Sequence, residues 1–132
     1  MNELHSATPL VPEVGVIAVV PNRWGDQWQP RHHVLSRLAR YFRVSWVNPA
    51  PEWRDVVRHP HAFRLADREP VPGFTIHSPD HWLPRVHRPH GLAQMSFRLR
   101  LQGARRALAR AGCTSIILYI WHPEFADALA AV

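Results

Sequence analysis

Between Trp24 and His33 the chain reads Trp-Gly-Asp-Gln-Trp-Gln-Pro-Arg-His-His. These side chains can do several kinds of chemistry. The flat faces of Trp24 and Trp28 can stack on sugars or apolar chains. Asp26 and Gln29 can hydrogen-bond hydroxyl groups, and Gly25 lets the backbone come close to a ligand. Arg31 can pair with an anionic oxygen. His32 and His33 titrate near neutral pH, and a histidine at a helix start can act as a general base or donate to an oxyanion. Trp121-His122 adds a second indole and imidazole far along the chain. Each residue has a plainer role of equal standing: the indoles can simply cover a sheet end, and His33 can simply pack or hydrogen-bond its loop.

The neighbouring patterns say what positions these residues. Val14 to Val20 is a continuous apolar, β-branched run, as expected of a strand buried on both faces. Pro30 suits a first helical turn, where its missing N–H would have no partner anyway. Val34, Leu35, Leu38, Ala39 and Phe42 then follow at helical spacing. Val44 to Val47 reads as a second strand ended by Asn48-Pro49. The first 49 residues therefore make a β-α-β unit, with parallel strands and a right-handed crossover. In such sheets ligands sit outside the carboxyl ends of the strands, which is where the Trp24–His33 loop falls.

Further along, two short alternating segments, Ala62 to Leu65 and Phe74 to His77, flank Pro70, Pro72 and Gly73 and predict a small hairpin or edge pair. Ser78 to His90, with Pro79, Pro84 and Pro89, reads as a long surface loop. Gly91 to Ala111 is the longest helical pattern. Phe97, Leu101, Ala104 and Leu108 share one face. Leu92, Met95 and Leu99 lie nearly opposite, which predicts a first half covered on two sides. Gly112 is placed to cap this helix. Ser115 to Tyr119, extended to Trp121, is a third core strand. Its carboxyl end brings Trp121-His122 to the same sheet edge as the first loop. Pro123 opens a last helix, Glu124 to Ala131.

The expected class is α/β: a Rossmann-like parallel sheet flanked by helices, with a small β-hairpin insertion. Residues 1–13 are expected as a flexible arm. Residues 14–132 are expected as one incomplete domain, because three parallel strands with an open edge make a small, exposed sheet.

Several functions are disfavoured. No G-x-G-x-x-G or P-loop is present, the loop holds only Gly25, and all 16 basic residues are Arg, so a backbone cradle for a nucleotide is not expected. An anion can still meet the helix start near Arg31. The ten His include His32-His33, His59-x-His61, His77-x-x-x-His81 and His87-x-x-His90, but prolines break the last two sets and no carboxylate or Cys is in register, so no metal site is expected. The net charge of +6 admits nucleic acid, anionic lipid or phosphorylated ligands. The arginines nevertheless follow ordinary solvated helix faces and no nucleic-acid motif appears, so no nucleic acid is expected. Cys113 is the only cysteine, which excludes an internal disulfide and suits a small buried residue. With no basic leader and no run of about 20 apolar residues, the expected location is the cytoplasm, with peripheral contact at the inner membrane face an option.

The run Trp24 to His33, then Leu35-Ser36-Arg37-Leu38-Ala39, Val44-Ser45-Trp46-Val47-Asn48-Pro49 and Ile116 to Pro123 (IILYIWHP), resembles the N-terminal half of bacterial GT-B glycosyltransferases of cell-envelope and exopolysaccharide synthesis. The resemblance implies two Rossmann-like domains in a complete enzyme. The first binds a glycan or lipid-linked acceptor. The second, absent from these residues, binds a nucleotide-sugar donor through a Glu-containing motif. No other cofactor is implied, and the chain alone is expected to be inactive. In such an enzyme the common placement at strand carboxyl ends would put Gln29, Arg31 and His33 on the acceptor side, with His33 handling a proton or orienting the substrate, and Trp121 and His122 on the opposite wall. The competing expectation is a non-catalytic module that docks on a separate donor-domain polypeptide or on an anionic surface.

Overall fold

The computed structural model describes residues 8–25, 27–49, 57–58, 68–71, 73–77 and 90–131. Five strands form one sheet: β1 (Val14–Val19), β2 (Arg43–Val47), β3 (Arg68–Val71), β4 (Phe74–His77) and β5 (Ser115–Ile120), in the order β3-β4-β2-β1-β5. Four of them, β4, β2, β1 and β5, run parallel. β3 is an antiparallel edge strand on β4. Helices α1 (Pro30–Leu38) and α2 (His90–Arg110) and a 3-10 helix (Pro123–Ala131) accompany the sheet among the described residues.

An α/β fold with a helix-flanked parallel sheet is present, but the hairpin is not an insertion beside a three-strand core. β4 pairs with β2 in register Val44↔Phe74 to Val47↔His77, so it is the fourth core strand. The strand paired with β4 is Arg68–Val71; residues 62–65, expected as the first hairpin strand, lie outside the described residues. Pro70, expected in the turn, lies in that strand, a position proline tolerates at a sheet edge. Gly73 makes the turn with φ +80, which a side chain at this position would strain.

β1 is central because its six residues pack on both faces. Val16, Ala18 and Val20 meet Leu35 and Ala39 of the α1 layer together with Val44, Trp46, Phe74 and Ile76. Ile17 and Val19 meet Phe97, Leu101, Ala104 and Leu108 of α2, together with Phe125 and Ala128 of the 3-10 helix. Gly15 lets α2 come close: a Cβ there would stand 2.8 Å from Cδ1 of Leu108, whose side chain would have to shift. The core face expected for α2 is thus buried, but its opposite stripe is not covered: Leu92, Met95 and Leu99 are exposed. Gly112, at φ +92, ends the helix as expected, and Cys113 N–H donates to the Leu108 carbonyl at 3.0 Å. Cys113 is half-buried, its thiol donates to the Pro12 carbonyl at 3.5 Å, and desolvation pushes its pKa up.

Of the expected N-terminal arm, residues 1–7 lie outside the described residues. Its second part is held in place. Leu10 and Val11 N–H groups donate to the carbonyls of Arg40 and Tyr41, and Pro9 is buried, with Cγ 3.1 Å from where a Gly73 Cβ would sit.

Candidate functional site

The strand order creates a topological switch point. From β1 the chain moves through α1 to β2 and on to β4 on one side, then returns through α2 to β5 on the other side of β1. The connections leaving the carboxyl ends of β1 and β5 therefore diverge, and that point is the usual ligand position in open α/β sheets. Residues 20–25 and 27–29 and Trp121-His122 follow these two strand ends.

α1 starts where a capping arrangement holds the loop. Gln29 is the N-cap in extended conformation (φ −117, ψ 161), with Pro30 following. The Gln29 N–H donates to Nδ1 of His32 at 3.0 Å, and the His32 N–H donates to the Gln29 carbonyl at 2.9 Å. His32 thus serves as the back-reaching side chain of a capping box. Because its Nδ1 accepts, the neutral ring carries its proton on Nε2. That ring is 0% exposed and lies against Trp46 (4.7 Å), Trp28 (4.8 Å) and Trp24 (5.4 Å). His33, one residue on, is exposed and stacks on Trp28 at 5.3 Å with 19° between planes.

The three indoles at this edge do different things. Trp24 is half-buried and turns inward onto Phe74 (4.7 Å) and Trp46 (5.2 Å), closing the end of the core. Trp28 meets Trp24 edge-on at 5.1 Å and stays 55% exposed. Trp121 is 48% exposed, and the Arg31 guanidinium lies over its ring at 4.3 Å. This contact joins the loop after β1 to the end of β5. His122 is exposed, its ring 6.4 Å from Phe125, and Gly25 is exposed with open space around its Cβ position. Asp26 lies outside the described residues.

Two further residues support the site. Asn48, just past β2, accepts from the Trp24 N–H (3.0 Å) and from the Trp46 indole N–H (3.1 Å), and its own N–H donates to the His77 carbonyl (2.9 Å). It fixes the loop after β1 to the ends of β2 and β4. In the sequence Asn48-Pro49 reads only as the end of a strand, and nothing there signals a clamp. Trp46 reads only as a strand aromatic, yet it is the floor under the loop.

The carboxyl-edge constellation is distinct from a cavity of about 60 Å³ at the amino ends of β2 and β4, lined by Arg43, Ser45, Gly73, Thr75 and Leu108. Among the described residues no group of three His, Cys, Asp or Glu comes together, and no helix is long and apolar enough to cross a membrane. The chain matches no protein-family model, and no curated protein or solved structure is significantly similar to it.

Proposed function

We propose that the chain is the acceptor-binding, N-terminal part of a GT-B glycosyltransferase of bacterial envelope or exopolysaccharide synthesis. The complete activity moves a sugar from a nucleotide-sugar to a glycan or lipid-linked acceptor. The observation that carries this reading is the Arg31–Trp121 contact across the β1/β5 switch point. It joins a cation to one exposed indole, Trp121, and the same loop carries a second exposed indole, Trp28, stacked on the exposed imidazole of His33, which supports a ligand surface at this sheet edge. Indole faces suit the apolar faces of sugar rings, and a nearby imidazole suits deprotonation of an acceptor hydroxyl. Donor binding falls to a second domain, so the chain alone binds acceptor without transferring sugar.

A non-catalytic module is the second reading. It is favoured by the exposed stripe Leu92, Met95 and Leu99 on α2 with exposed Arg98 and Arg106 beside it. The deciding assay combines the chain with a donor-domain polypeptide, a radiolabelled nucleotide-sugar and membrane extract. Label is expected in the glycan or lipid fraction only when both halves are present, and His33→Ala should lower it by about 10²-fold. Steeply salt-dependent vesicle binding with no transfer would favour the module. Unchanged transfer by His33→Ala would remove the proton-handling role.

A further inference from the structure

Arg31 is one of two buried arginines among the described residues, 9% exposed against 7% for Arg100. Its Nε and Nη1 atoms are buried without a hydrogen-bond partner among the described residues. Taking an ionised group out of water without a partner is unfavourable. The Trp121 ring at 4.3 Å offsets only part of that cost. The indole therefore holds the guanidinium in place but leaves the buried Nε and Nη1 donors unpaired.

The surroundings add to the demand for an anion. Arg31 sits in the first turn of α1, a nine-residue helix with no acidic side chain in that turn. The helix dipole and the first-turn N–H groups favour negative charge at this end. Buried His32, beside it, carries an Nε2 that likewise has no partner among the described residues. Arg31 lies over Trp121 at the carboxyl edge of β5, while the His32 ring is turned onto Trp46, Trp28 and Trp24, and both Trp28 and Trp121 are exposed.

We propose that Arg31 anchors a phosphate-binding site at the carboxyl edge of β1 and β5, and that its ligand is a phosphate ester whose organic part lies on the Trp28 and Trp121 faces. A phosphate monoester or diester supplies the oxygens that a guanidinium fork recognises, and the rings take the ester group. The site shares its sheet edge with the proposed acceptor but rests on the buried unpaired Arg31 donors and the helix start, so it stands or falls separately from sugar transfer.

The test is a thermal-unfolding titration of the full chain with glycerol phosphate at constant ionic strength, compared among wild type, Arg31→Gln, Arg31→Lys and Arg37→Ala. A ligand that binds only the native state raises the midpoint in a saturable way. The expected result is a saturable rise in wild type and in Arg37→Ala, whose arginine is exposed on the same helix. The apparent affinity should weaken by about tenfold or more in Arg31→Gln and by less in Arg31→Lys, which keeps the charge but loses the fork. A general salting effect would appear equally in all four proteins and would overturn the site, as would the absence of saturation in wild type. Phosphorus-31 line broadening of the same ester by wild type gives a readout that needs no variant to fold, and unbroadened signals would also overturn it. A second arm compares phosphatidylglycerol with phosphatidylcholine vesicles. Arg31-dependent binding to the former alone assigns a lipid headgroup, and binding of glycerol phosphate without vesicle binding assigns a soluble ester.

Discussion

Replacing Trp46 by alanine is expected to destabilise the fold by about 3–5 kcal/mol, a large share of the roughly 5–15 kcal/mol that holds a small domain together. Trp46 is 0% exposed, at the carboxyl half of β2. Its ring supports Trp24 at 5.2 Å and His32 at 4.7 Å, and its N–H is bound by Asn48 at 3.1 Å. Truncation leaves a cavity directly beneath the loop after β1 and removes one of two donors to the Asn48 oxygen. Urea unfolding followed by circular dichroism measures the loss. Trp28→Ala is the control, since its ring is 55% exposed and its removal should stay within about 0.5 kcal/mol. Equal losses in the two variants would show that the loop is not seated on Trp46.

His32→Ala carries the second large effect, a loss of about 2–4 kcal/mol from a missing cap bond and a ring-sized cavity. The cap and the cavity can be separated. Glutamine at this helix position can reach back to the Gln29 N–H, as in a capping box, but cannot fill the space between Trp28 and Trp46. His32→Gln is therefore expected to recover about 1 kcal/mol of the loss, read from the urea midpoint. Recovery of the whole loss would mean that the rings around His32 contribute nothing. No recovery would mean that the bond from Gln29 does not hold the helix start.

The parts of this fold that are legible in the sequence are those with long, one-sided or two-sided apolar patterns. β1 shows its burial on both faces through an unbroken apolar run, and α2 shows its core face through Phe97, Leu101, Ala104 and Leu108. Four-residue β4 is different. Phe-Thr-Ile-His alternates in the same way whether it belongs to a peripheral hairpin or pairs parallel with β2, and only the register Val44↔Phe74 decides. The outer stripe of α2 misleads because apolar residues at helical spacing read as covered, while Leu92, Met95 and Leu99 face outward.

The site divides in the same way. Adjacent helical residues point about 100° apart, so His32 and His33 cannot share a role. Which one turns inward is set by the Gln29 N–H, which captures the ring of His32, and no pattern of residue types records that choice. Arg31 reads as a helix-start arginine able to meet an anion, but its burial is not legible until the distant Trp121 is brought beside it, 90 residues along the chain but one strand away across the sheet. Parallel pairing of β1 and β5 makes that neighbourhood, and it was legible only as a shared carboxyl edge.

The central proposal is that this edge takes acceptor-type ligands rather than nucleotide-sugars, and the indole N–H signals of the full chain in a proton–nitrogen correlation spectrum test it most directly. Titration with methyl glucoside, glucose 1-phosphate and octyl glucoside is expected to move the Trp28 and Trp121 signals together along one saturation curve. UDP-glucose should do so no better than glucose 1-phosphate, and the buried Trp46 signal should stay almost still. Tighter binding of UDP-glucose at the same two indoles, or no movement of either with any of the three acceptor-type probes, would contradict the proposal.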